Sequence, residues 1–401
     1  MPIRIGAGLS RTHDARVGAI EAAQAAARSL EGRRADVAVV FACGDHLAAP
    51  EAVLEGVHEA LRPDQLVGCG ASGVLAAGEE VEEGTAVSVW AAALDGGAVR
   101  AFRASAPRGE DDEDGEEEAT PAAGASEHAA EVKPAPGTTA AIVFPDPYSF
   151  DTEAMLSALR EACPQVPVLG GLASGRTFDG TAALFHDEVV LEDGAVGLLF
   201  EDVPVHTCVS QGASPLGPEL TITAAEGQVI HELAGKPALV KLREVFDALD
   251  ERERGLVAGG LLLGIVIDAG KPEYEHGDFL VRGVVGADTE RGSVAVSANL
   301  RPGQIVRLHA RDARSADRDL ERALRERRAT LGPAVPAGAL CFTCNGRGRG
   351  LFGVPDHDAI ALAQALAGAP VAGFFAAGEI GPVSGESFQH AFSASVAVFA
   401  R

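Results

Sequence analysis

Gly68-Cys69-Gly70-Ala71-Ser72-Gly73, Gly170-Gly171-Leu172-Ala173-Ser174-Gly175 and Gly373-Phe374-Phe375-Ala376-Ala377-Gly378 are three spellings of one phrase, G-x-x-A-[SA]-G. Each phrase ends an apolar run with strand character. A helix-like stretch precedes it, and before that another apolar run ends in Phe41-Ala42-Cys43, Phe144-Pro145-Asp146 or Phe342-Thr343-Cys344. Further extended stretches at 85–94, 195–200 and 393–400 close the units. A repeat of this length is one supersecondary unit reused, and it fixes the reading of everything around it. The fold class that follows is α/β, mixed, built from repeated β-α-β-β units.

The 401 residues exceed what one core usually holds, so two domains are expected. Residues 1–230 read as an N-terminal α/β domain and residues 231–401 as a C-terminal one, with antiparallel strands at 261–267, 279–285, 293–298 and 305–310 and a charged helix at 315–328. Between the first two units, residues 104–136 carry acid, Pro, Gly and Ala without apolar periodicity. That composition cannot offset its ordering entropy, and the segment reads as a disordered insert. Glu79-Glu80-Val81-Glu82-Glu83 reads as part of an acidic turn.

A net charge of −25 with only four lysines excludes a nucleic-acid partner, whose phosphates demand clustered cations. No run of about 18 apolar residues occurs, and the N-terminus lacks a signal-peptide core, so no membrane span is expected. The six cysteines show no disulfide framework. A reduced cytoplasmic protein is the expectation.

Gly68-Cys69-Gly70-Ala71-Ser72-Gly73 also fits the dinucleotide fingerprint, but it does not open a helix, and nucleotide binding by that route is rejected. A Gly-rich strand end can admit a ligand to the backbone, or simply allow tight strand crossings. Cys341 and Cys344 have no second pair to complete a zinc ribbon. A Cys344 nucleophile with His357 or His390 as base would make an enzyme, but no third orienting residue presents itself, and a non-enzymatic role is expected. Arg347 and Glu379 follow the two parallel strands of the third unit, so their loops emerge at one edge, where α/β folds bind ligands. A guanidinium suits a carboxylate and a carboxylate suits an amine, so the two could clamp a zwitterion. They could instead pair with each other.

Several stretches resemble the FIST family. Ile5-Gly6-Ala7-Gly8-Leu9-Ser10, Val39-Val40-Phe41-Ala42, Leu66-Val67-Gly68-Cys69 and Ser210-Gln211-Gly212 resemble its N-terminal domain. Cys344-Asn345-Gly346-Arg347-Gly348 and Gly378-Glu379-Ile380-Gly381-Pro382 resemble its C-terminal domain. The resemblance implies a stand-alone sensor of signal transduction that binds amino acids or similar small metabolites and acts through a separate signalling protein. Ligand contacts are expected from Cys344, Asn345, Arg347, Gly348, Gly378, Glu379, Ser72 and Ser174. No cofactor is expected; haem, with nitric oxide sensing, is the alternative that the resemblance carries.

Overall fold

The computed structural model describes residues 3–105, 132, 134–275 and 277–401. The stretch read as a disordered acidic insert lies, at 106–131 and 133, outside the described residues. The chain forms two compact units: Met1–Val209 with Glu321–Gln389 and Ala394–Arg401, and Ser210–Leu320 with His390–Ser393. A division at residue 230 falls inside the second unit, because the third repeat shares its core with the first two.

Strand outweighs helix, 41% to 25%, with three six-stranded sheets and one of seven strands. Repeat one pairs Val37–Cys43 in parallel with Gln65–Gly70 across the helix Pro50–Leu61. All seven residues of Val37–Cys43 are buried, as a strand covered on both faces requires. Pro50 opens the helix, where its missing N–H costs nothing, and Val53, Leu54, Val57 and Leu61 form its buried stripe. Repeat two uses Thr138–Pro145, Thr152–Ala162 and Val168–Gly171 in the same way, with Asp151 capping the helix through Ala154 N–H. Repeat three uses Pro336–Cys344, His357–Ala365 and Val371–Ala376.

After its Gly-rich phrase, each repeat sends a short hairpin to another repeat's sheet. Val74–Ala76 of repeat one pairs with Val371–Ala376 of repeat three. Glu379–Val383 of repeat three pairs with Val168–Gly171 of repeat two. Leu184–His186 of repeat two pairs with Gln65–Gly70 of repeat one. The exchange is cyclic, and it yields three six-stranded sheets of the same plan. The segment at 79–81 is therefore a hairpin strand rather than the turn its acidity suggested, and Glu80 and Val81 are buried in it.

The three sheets share one interior. Phe41, Phe144 and Phe342, the same position in each repeat, meet edge to face with ring centroids 5.3, 5.6 and 6.5 Å apart. Phe374 stacks on Phe41 at 4.7 Å. Trp90, Phe200 and Phe399 from the three closing strands form a second aromatic group. Each such ring contributes about 1.5–3 kcal/mol by burial, with a smaller increment from ring geometry.

The first glycine of the phrase has the same duty in every copy. Gly68, Gly170 and Gly373 register on Val40, Val143 and Cys341 of the parallel strand. A Cβ there would stand 1.8, 1.9 and 1.8 Å from those residues' carbonyl oxygens. Only hydrogen fits.

The second unit is antiparallel. Ala213–Glu226 pairs with Ile305–Arg311 on one side and Val229–Leu233 on the other, so the sheet closes on itself. Leu220, Ile222, Leu233, Leu263, Val296 and Leu308 fill its core.

Candidate functional site

In every β-α-β unit both strand-end loops emerge at one edge. The three phrases meet there. Ser72 Oγ donates to Asn345 Oδ1 at 2.6 Å, and Ser72 N–H donates to Ser174 Oγ at 2.9 Å. Ser174 Oγ in turn donates to the Phe375 carbonyl. Where the third phrase has Ala377 in place of serine, Asn345 from the preceding loop supplies the polar group. Backbone bonds close the ring: Phe375 N–H to Gly73 O at 2.9 Å, Leu172 N–H to Gly378 O at 2.8 Å, and Gly175 N–H to Gly70 O at 3.1 Å. Ser72 and Asn345 are exposed and Ser174 is half-buried, so two hydroxyls and an amide reach solvent from a fixed backbone.

Arg347 lies beneath this edge, fully buried. Its Nε and Nη2 fork onto Asp358 at 2.7 and 2.9 Å. Asp358 also accepts from Thr343 Oγ1 at 2.7 Å and faces His357 Nδ1 at 2.9 Å. Burial works to raise the Asp358 carboxyl, but the guanidinium beside it outweighs burial and holds it well below the usual carboxylate range. The Phe352 ring lies 5.1 Å from the guanidinium carbon and stacks on His357. Glu379 is fully buried in the strand that pairs with Gly171, and its charge also favours the Arg347 cation.

The remaining expected residues shape the loops. Cys344 is 8% exposed, and its Sγ accepts from Gly346 N–H at 3.3 Å. Gly348 has φ +69°, and a Cβ on it would lie 2.5 Å from Glu82 Oε2. Glu82 accepts from Arg349 N–H at 2.8 Å, which ties the first repeat's hairpin segment to the third repeat's loop. The sequence therefore brought together Ser72, Ser174 and Asn345, and it missed Asp358, Glu80 and Glu82. Asp358 stands in a helix's first turn, where an acid reads as a partner of the helix dipole.

Four of the described histidines, His46, His58, His309 and His357, do not suit haem. An axial imidazole needs an open edge over a slot that a porphyrin can enter. His46 Nε2 lies 2.8 Å from Thr12 O, and the ring is packed against Gly18. His58 Nε2 lies 2.7 Å from Asp187 O. His309 is wedged between Gly264 and Phe279, and His357 is stacked on Phe352. Among the described residues no group of His, Cys, Asp or Glu is placed to hold a metal. His390 falls in the barrel unit, whereas Cys344 falls in the first.

Three fused α/β repeats thus bring polar groups from separate phrases to one strand-end edge. The FIST N domain model matches residues 36–236 and the FIST C domain model matches residues 238–382. The chain belongs to the FIST family, whose domains are associated with sensing in signal transduction. It is 38% identical over 397 residues to an uncharacterized protein of Mycobacterium bovis, covering 99% of both chains. It is likewise 38% identical over 409 residues to an uncharacterized protein of Mycobacterium tuberculosis, covering 99% of this chain and all of that one. No helix among the described residues is long and apolar enough to cross a membrane.

Proposed function

We propose that this protein is a small-ligand sensor of the cytoplasm that binds an amino acid or similar metabolite at the shared strand-end edge and passes the signal to a separate protein. The observation that supports this reading most is the meeting of Ser72, Ser174 and Asn345, each from a different repeat, within one hydrogen-bonded group. Hydroxyls and an amide both donate and accept, so they match the polar ends of such a ligand. Cys344, Gly348 and Gly378 shape the loops around them. Arg347 and Glu379 act from below: the Arg347–Asp358 fork fixes the loop that carries Asn345, in place of a clamp on the ligand itself.

The test is a thermal-shift screen of the intact protein against the twenty amino acids, each added singly at millimolar concentration. A ligand of the native state raises the melting temperature with the logarithm of its concentration. At least one is expected to do so. Ser72→Ala is expected to weaken that response about tenfold, the cost of one lost hydrogen bond, with little change in the unliganded melt. Ser174→Ala should weaken it as well and also lower the unliganded melt, because Ser72 N–H and the Phe375 carbonyl lose its hydroxyl. A flat screen, or unaltered affinity in both variants, would sink the proposal.

A further inference from the structure

The hairpin Val74–Ala76 with Glu79–Val81 crosses from the first repeat to the third, and Glu80 fastens its far side. Glu80 N–H donates to Asp356 Oδ1 at 2.6 Å, and Glu80 Oε1 accepts from Ala359 N–H at 2.9 Å. Ala359 belongs to the first turn of the helix His357–Ala365, whose own cap residue, Asp356, sits at φ +59° and makes no side-chain cap bond. The helix is thus capped by a carboxyl from another repeat, 279 residues away in the chain.

Glu80 is only 7% exposed, and its Oε2 has no hydrogen-bond partner among the described residues. An ionised carboxylate with a bare, dry oxygen is costly, and a neutral carboxyl much less so. The charged neighbours sharpen the difference. Asp358 and Asp356 face Glu80 from the helix side, and Glu82 and Glu79 lie on its own segment. Two nearby cations are committed elsewhere: Arg347 forks onto Asp358, and Arg11 reaches Glu79.

We propose that Glu80 is a proton switch at this joint: neutral, it locks the first repeat's hairpin onto the third repeat's helix, and ionised, it loosens the lock. Burial first, and then the Asp358 charge, push its pKa up to about 7 from an ordinary 4.5. With the folded value above the unfolded one, the stabilisation is complete below about 4.5 and is lost as pH rises through about 7. Ser72 leads into the same hairpin, so the switch also reaches the strand-end edge. That last step rests on the proposed ligand site; the joint itself does not.

The experiment uses the full chain without ligand. Thermal melts and hydrogen-exchange protection factors for 74–81 and 357–365, corrected for intrinsic rates, are followed from about pH 4.5 to pH 8. Relative to Glu80→Gln, the wild-type opening constant should rise by up to about tenfold per pH unit and level off above about pH 7. Glu82→Gln, which removes a like charge, should bring the levelling-off to lower pH. Parallel profiles for wild type and Glu80→Gln would overturn the proposal. If Glu80→Gln does not fold, an unmoved profile in Glu82→Gln would overturn it. A failed amino-acid screen would leave this result untouched.

Discussion

Arg347→Ala is expected to lower the melting temperature of the unliganded protein sharply, with a loss of about 3–5 kcal/mol. The reason is the partner left behind. Asp358 is buried, and both of its oxygens are held by the Arg347 fork. Without the guanidinium it becomes a buried charge held only by Thr343 and the His357 imidazole. Arg347→Lys keeps the charge but cannot make the fork, so it should recover only part of the loss. Replacing both members, as Arg347→Met with Asp358→Leu, should be milder than Arg347→Ala, because no buried Asp358 charge is left behind. The pH dependence has a definite sign. Asp358 is depressed below its ordinary 3.8 by Arg347, so the pair's contribution is complete above that value and is lost as pH falls through the folded one. Denaturant melts of the four proteins, near pH 7 and in acid, check all of this. An unliganded melt unchanged by Arg347→Ala, together with lost ligand response, would restore the zwitterion clamp.

The repeat was legible because the demands behind it are local. A glycine that must touch a carbonyl, a phenylalanine that must meet its two counterparts, and a buried parallel strand each leave a fixed letter at a fixed spacing. Gly68, Gly170 and Gly373 carry one such demand, and Phe41, Phe144 and Phe342 another. The cyclic exchange of hairpins left no such mark. Leu184–His186 and Val74–Ala76 are three residues long, too short for a period to show, and their partners lie in other repeats. The return of the chain to its first unit at Glu321 was hidden for a related reason: the barrel sequence between is self-contained, so composition changes there as it would at a domain boundary. At the site, Ser72 and Ser174 were found through the phrase itself. Asp358 and Glu80 were not, because a buried acid is written with the same letter as a solvated one. Only the neighbours tell them apart, and those neighbours are distant in sequence.

Gly170→Ala is expected to be the most damaging of the single-methyl substitutions at the first glycine of the three phrases. Two penalties coincide there. The added Cβ would lie 1.9 Å from the Val143 carbonyl oxygen, and the backbone stands at φ +143°, which side-chain-bearing residues rarely adopt. Overpacking alone costs about 1–3 kcal/mol, and a strained backbone about as much again. Gly68→Ala and Gly373→Ala meet the same steric wall at 1.8 Å, so they should share the first penalty and lack the second. Gly78→Ala isolates the other: it sits at φ +84° with nothing within 4 Å of the new methyl, and it should cost only the backbone strain. Denaturant melts of the four variants therefore separate packing from conformation. They also decide why the phrase is glycine-rich. If these glycines exist to seat two strands against each other, all three changes must weaken the unliganded protein. If they exist to let a ligand reach the backbone, Gly68→Ala and Gly373→Ala would keep their stability and lose only the ligand response. The carbonyls of Val40 and Cys341 already occupy the space in question, and the first result is the one expected.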